Sequence, residues 1–196
     1  DANNSDFAAF TGISFLKSDN LAAKKSIELK RPFAQINVAS TLPAQIKDVV
    51  LSTSTVKVMK AGKKFDVINQ VASETEPVVE FIAAELPDGN LTVAGNTYKY
   101  IAMNYVFASG NVEVEYTINT AAHGTIQNTV SNVPVAANYR TNIVGSLLTS
   151  TADYTVTLAE FDTPSLSSYV NVTTTEEIDN ALKADEEVIS ITLGAD

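Results

Sequence analysis

The chain has 196 residues, 45% hydrophobic and 18% charged, with one histidine, no cysteine and a formal net charge of −10. That length suffices for one substantial domain with its own core. The missing cysteines exclude disulfides, thiolate nucleophiles and cysteine zinc sites, and the acidic balance argues against nucleic acid as a partner. Charge is unevenly spread: residues 1–64 carry 10 of the 13 Lys and Arg and 5 of the 23 Asp and Glu, whereas residues 65–196 are strongly acidic. Two readings stand for this asymmetry: differently charged faces of one fold, or head-to-tail matching between subunits. No apolar run approaches the roughly 20 residues needed to span a bilayer as a helix. The start at Asp1 rather than Met suggests a processed or trimmed chain, with any export or lipid signal lying upstream.

In chain order, Asn20–Lys25 allows at most one helical turn, and Ile27-Glu28-Leu29 starts an alternation that runs into Arg31-Pro32-Phe33-Ala34-Gln35-Ile36-Asn37-Val38. Pro32 cannot donate to a ladder, so the strand breaks or bulges there, with Ala34, Ile36 and Val38 facing inward. Further strands are expected at Asp48–Leu51, Val56–Met59, Lys64–Asn69, Val78–Ala83, Asn90–Val93, Thr97–Phe107, Val112–Ile118, Tyr139–Leu148 and Tyr154–Leu158. Val112–Ile118 is the clearest: Val112, Val114, Tyr116 and Ile118 alternate with Glu113, Glu115 and Thr117, as in a strand with one face on a core and one in water. Lys60-Ala61-Gly62-Lys63, Pro87-Asp88-Gly89-Asn90, Ala94-Gly95-Asn96 and Ser109-Gly110-Asn111 read as turns. Strands without intervening long helices point to an all-β, antiparallel sandwich.

Composition shifts at 164–168, which reads as a linker after a domain spanning 1–163. Within 169–196, Thr174 and Glu177 fit a capping box before a short helix bearing Ile178, Ala181 and Leu182, and Val188–Leu193 reads as a strand. This helix-strand segment is too small to bury a core by itself.

Chemistry-bearing groups are sparse. His123 lies in a predicted loop and reads as solvated, and no Gly-x-Ser-x-Gly or metal-ligand spacing accompanies it. Glu113 and Glu115 share what should be the wet face of a strand, which suits solvation better than paired acid–base work. Glu74, Glu76 and Glu80 read as an acidic loop and edge. Asp1–Asp6 alternates oxygen side chains but lacks the glycine and distal glutamate of a calcium loop. Lys57, Lys60, Lys63 and Lys64 fall on one predicted hairpin, as edge-guarding lysines or as a polyanion contact. Tyr98, Tyr100 and Tyr105 share one strand-rich stretch; they suit core packing with satisfied hydroxyls, and alternatively a surface on which sugars stack. No cofactor is expected.

Two phrases, Arg31–Val38 and Asn138-Tyr139-Arg140-Thr141-Asn142-Ile143-Val144-Gly145, set amide and guanidinium side chains into apolar runs, where burial is costly without hydrogen bonds. Arg31, Pro32, Phe33, Gln35, Asn37, Tyr139, Arg140 and Asn142 therefore read as structural positions, the polar ones bonding backbone and fixing strand ends. Together with Thr97–Tyr105 between them, these phrases resemble the fimbrillin-like (FimA/Mfa-type) proteins of Bacteroidales, including the branch described as cell-adhesion proteins, over about Phe10 to Pro164. The resemblance implies a Greek-key, transthyretin-like sandwich and export as a lipoprotein precursor. It implies a non-enzymatic role at the outer-membrane surface, as a fimbrial subunit or anchored adhesin. Partners would be other subunits or a host surface ligand, joined by strand donation, and the membrane is reached only through a lipid anchor outside this chain. A carbohydrate-binding module of a glycan-uptake system is the alternative, resting on the tyrosines. The family has further strands before Arg31, so the first strands are expected to be missing here. The tail resembles the cap of a β-helix that continues past Asp196, or else an appendage on the sandwich; an accessory role beside a polysaccharide-degrading β-helix follows from the first of these.

Overall fold

The computed structural model describes residues 3, 9–13, 25–41, 51–120, 124–148, 152–161, 170–172 and 190–193. The expected helical turn at Asn20–Lys25 (apart from Lys25), His123, the linker at 164–168 and the expected helix after Thr174 lie outside them. The described residues form twelve strands and no helix: β1 (Lys25–Glu28), β2 (Phe33–Ser40), β3 (Leu51–Asp66), β4 (Val71–Ala83), β5 (Asn90–Val93), β6 (Asn96–Phe107), β7 (Val112–Thr120), β8 (Gly124–Val133), β9 (Tyr139–Ser146), β10 (Asp153–Glu160), β11 (Val170–Val172) and β12 (Ser190–Leu193).

The chain divides into two units. The smaller comprises Phe10–Arg31 and Asp162–Asp196. Its sheet has the order β1-β12-β11, with β1 antiparallel and β11 parallel to β12. The alternation at Ile27 thus belongs to this sheet and not to the strand after Pro32. A Thr11–Lys30 bridge, and the Arg31 guanidinium 4.6 Å over the Phe10 ring, lie in the same unit.

The larger unit, Asp1–Ala9 and Pro32–Phe161, holds a nine-stranded sheet ordered β10-β9-β2-β6-β3-β7-β8, with β4 on β3 and β5 on β6. The sheet is mixed and not purely antiparallel, because β2 and β9 run parallel. Among the described residues its two halves meet at a single ladder pair, Gly62 with Phe107. It curls so that Ala34, Ile36 and Val38 of β2, Val56 and Val58 of β3, Val114, Tyr116 and Ile118 of β7 and Ile143 of β9 share one buried cluster. Period-two patterning explains this: β7 alternates buried and part-exposed residues along most of its length, as its sequence predicts. Each such Val or Ile contributes roughly 1.5–3 kcal/mol by leaving water.

Four local expectations change. Lys60–Lys63 is not a turn: β3 runs through it, and the chain reverses at 67–70, where the Asp66 carboxylate accepts from the Ile68 and Asn69 amides at 2.9 and 3.0 Å. Gly62 serves close approach instead, since a Cβ there would sit 2.9 Å from the Phe107 Cβ. Ser109–Asn111 does not close a hairpin, because β6 and β7 lie in different halves and do not pair with each other. Of the β3 lysines, Lys57 guards no edge, because β4 lies on one side of it and β7 on the other, whereas Lys60, Lys63 and Lys64 lie beyond the β7 pairing, which ends at Met59. Lys57 reaches Glu115 at 3.2 Å, Lys63 reaches Glu76 at 3.0 Å and Lys64 reaches Glu74 at 2.5 Å. Exposed pairs are worth about 0–1 kcal/mol each, so their weight lies in fixing register. Glu74, Glu76 and Glu80 sit on β4, the outer strand, rather than in a loop. The Pro87–Asn90 turn does precede β5, and Ala94 and Gly95, both at positive φ, make the two-residue β5–β6 turn.

Gly62→Ala is expected to cost about 1–3 kcal/mol through overpacking against Phe107, with Gly62→Val costing more; urea unfolding monitored by circular dichroism measures it. Tyr116 gives a pH signature. It is fully buried, its hydroxyl donates to the Leu147 carbonyl at 3.3 Å, and burial pushes its pKa up to about 12. The folded state then holds its proton while the unfolded state, titrating near 10, loses it. Stability should therefore fall between pH 10 and 12, and the fall should be shallower in Tyr116→Phe.

Candidate functional site

The two phrases lie side by side as β2 and β9, with Gln35 opposite Arg140 and Asn37 opposite Asn142. Ala34, Ile36 and Val38 point into the core, so the alternate positions Gln35 and Asn37 fall on the other face, yet they too are buried, at 6% and 0% exposure. The Asn37 amide donates to the Asn142 carbonyl oxygen at 2.8 Å, and the Asn142 amide donates to the Thr157 hydroxyl of β10 at 3.4 Å. This row crosses three strands. The asparagines thus bond side chain to side chain and not to backbone, because parallel in-register pairing brings like positions together. The Arg140 guanidinium donates to the Glu160 carbonyl at 3.4 Å and lies 5.2 Å over the Phe161 ring. Tyr139 donates to the Glu160 carboxylate at 3.0 Å, and that bond raises its pKa.

The tyrosines divide. Tyr98 and Tyr100 pack on a small cluster of Ala39, Leu91 and Val144, and burial raises the pKa of Tyr100. Tyr105 meets the Phe33 ring edge-on at 6.4 Å. Phe33 in turn stacks on Phe107 at 4.7 Å, and Phe107 on Phe65 at 5.5 Å. This aromatic stack links β2, β6 and β3 beside the Gly62 junction. The sequence offered little sign of it, since Phe65 lay in a segment read as a separate short strand. Also unforeseen is the apolar tip of the β3–β4 hairpin, where Val67 and Ile68 are 56% and 74% exposed.

The backbone of β6 shows a second unforeseen feature. One edge pairs β2 along its length. The other pairs β5 at residues 96–99 and β3 at Phe107. Between them, among the described residues, Asn3 meets Met103: the Asn3 N–H donates to the Met103 carbonyl at 3.0 Å and its side-chain oxygen accepts from the Met103 N–H at 2.9 Å. The Asn3 amide also donates to the Glu85 carbonyl at 2.9 Å. One residue of the N-terminal segment thus stands in for a ladder partner on the stretch of β6 between its β5 and β3 pairings.

The model of the family described as "Family of unknown function (DUF6562)" matches residues 2–191. The chain belongs to this family. No curated protein matches it. Among solved structures, it is similar to a "putative cell adhesion protein" from Bacteroides ovatus, with 12% identity and a TM-score of 0.44 over 69% of this chain and 47% of that one. A protein described in the same words from Bacteroides uniformis gives 12% identity and 0.41 over 68% and 52%. A "fimbrial protein" from Bacteroides vulgatus gives 10% and 0.33 over 68% and 56%. The chain spans about half the length of these proteins.

Asn142→Ala is expected to cost about 1–3 kcal/mol, because it strands the buried Asn37 amide. The double substitution Asn37→Leu, Asn142→Leu should cost less than the sum of the two single leucine variants, and a double-mutant cycle in urea measures the coupling.

Proposed function

We propose that the chain is a non-enzymatic structural or adhesive protein of the bacterial cell surface, a fimbrial subunit or anchored adhesin, that assembles by accepting a donated strand along β6. The observation carrying this reading is the stretch of β6 between its β5 and β3 partners, where Asn3 engages both backbone groups of Met103, donating from its own N–H and accepting at its side-chain oxygen. A strand entering there would gain main-chain bonds for affinity and alternating side-chain contacts for register. It would replace Asn3 at Met103 and continue the sheet between β5 and β3.

Support also comes from the sequence. The phrases at Arg31–Val38 and Asn138–Gly145 resemble fimbrillin-like proteins, and in this reading the curled sheet corresponds to their sandwich. The single histidine and the absence of cysteine leave few groups for nucleophilic or metal chemistry. Partners would be further subunits or a surface ligand, and the outer-membrane location follows from the same resemblance.

Removal of residues 1–9 should convert the chain into higher oligomers, seen by light scattering and negative-stain electron microscopy. A peptide of residues 1–9 added in excess should suppress that assembly. If the trimmed chain stays folded in the same oligomeric state as the intact chain, and the intact chain binds neither bacterial nor host-cell surfaces, the reading fails.

A further inference from the structure

Strands at the outside of a sheet offer unpaired N–H and C=O groups, and native proteins blunt such edges with proline, charge, bulges or backbone kinks. Two of the three longest outer strands here are blunted. β4 carries Pro77, a positive φ of 53° at Glu74, and three glutamates. β8 carries a positive φ of 58° at Asn132 and a register shift against β7. β10 carries none of these. It runs eight residues in unbroken register with β9, without proline, glycine, lysine or positive φ, and its charges stand only at the ends, Asp153 and Glu160. Between them lies Tyr154-Thr155-Val156-Thr157-Leu158-Ala159, uncharged and rich in strand-favouring residues.

One face of β10 is also incompletely covered. Val156 is opposite the buried Ile143 and packs against the main core. Tyr154 and Leu158 share its face, two residues to either side, yet remain 41% and 43% exposed.

We propose that β10 is a homotypic pairing edge, through which two copies of this chain join into one continuous sheet by antiparallel β10–β10 pairing centred on Val156. A second copy suits this edge because the strand is complementary to itself about that residue. With Val156 opposite its own mate, Tyr154 of each copy faces Leu158 of the other, so both exposed apolar side chains gain a cross-strand neighbour. Thr155 then faces Thr157, and each acidic end falls beyond the other strand's apolar centre. A shift by one residue in one direction would set Asp153 against Glu160, a like-charge pair that is destabilising, and Tyr154 against Ala159; in the other it would set Asp153 against Leu158 and Tyr154 against Thr157, so neither keeps the Tyr154–Leu158 pairs. The contact is isologous and closes as a two-fold dimer. It lies on a different strand from the β6 stretch and does not depend on the strand-donation reading.

The test uses the intact 196-residue chain with residues 1–9 in place, so the outcome is independent of what happens at Met103. Analytical ultracentrifugation should give twice the 20.9 kDa chain mass. Because the chain has no cysteine, Val156→Cys introduces the sole thiol. Directly opposite residues hold their Cβ atoms about 4.5–5.5 Å apart, so Val156→Cys should cross-link in high yield with a short bis-maleimide. Ala159→Cys should not, since the strand rise separates it from its own mate by about 20 Å. Tyr154→Lys with Leu158→Lys should halve the mass, as should Tyr154→Glu with Leu158→Glu, and an equimolar mixture of the two should regain the dimer. The cross-linking result stands even if the charged variants do not fold, a point that circular dichroism checks. A monomeric intact chain, open-ended aggregates, equal cross-linking at 156 and 159, or dimers that survive the lysine substitutions would each overturn the proposal.

Discussion

Gly62 faces Phe107 across the only ladder pair that joins the two halves of the large sheet among the described residues, and there the absence of a side chain is the constraint. Any Cβ at 62 would meet the Phe107 Cβ, its carbonyl oxygen and the Ala72 Cβ at 2.9–3.0 Å. Just before it, Lys60 takes a φ of 67°, close to where β3 leaves β7. Beside it, Phe65, Phe107 and Phe33 stack in sequence. The kink, the bare glycine and the rings together let one strand pair with β7 along one stretch and touch β6 at another. The single buried cluster shared by β2, β3, β7 and β9 depends on that change of partner.

The second constraint is the parallel pairing of β2 with β9. Nothing local dictates it, since about a hundred residues separate the two strands. Once it is made, in-register pairing sets Asn37 beside Asn142, and two groups that would be costly to bury singly satisfy part of each other's demand. Gly145 closes the same ladder: a side chain there would run into the Asp153 carbonyl of β10. The second phrase therefore carries its amide and its glycine for related reasons, one bonding toward β2 and β10 and the other admitting β10 closely.

Features governed by period-two burial were legible in the sequence. β7 is the plainest case, and the inward set of Ala34, Ile36 and Val38 follows the same rule. Pairing choices were not legible, because they depend on distant segments. Lys60-Ala61-Gly62-Lys63 has the composition of a turn, yet the glycine is there for a neighbour that sequence proximity does not reveal. The side-chain bond between Asn37 and Asn142 required knowledge of their mutual register. The tyrosines looked like one set, but a bulge in the β2–β6 register between Val38 and Ala39 separates Tyr98 and Tyr100 from the stretch bearing Tyr105. The Asn3 contact had no sequence signal at all: an asparagine near a terminus is ordinary until a strand edge is placed against it.

The edges carry the functional argument further than the faces do. Where an edge carries proline, paired charge and an irregular backbone, as β4 does, its composition is explained by remaining unpaired. Its exposed Val78 and Ile82, at 47% and 71%, then need no strand partner to account for them. An edge that lacks every such device sets the opposite physical problem, because six uncharged strand-forming residues in unbroken register are a template for another strand. β10 is that edge, and its acidic ends restrict which register a second β10 can adopt. β6 differs again: its second edge is paired by β5 at one end and β3 at the other, and between them is met by a residue from far away in the chain. A protein built for assembly needs strand edges that are selective and not merely sticky. In the proposed assembly that selectivity would come from charge placement on β10 and from the limits that β5 and β3 impose on β6.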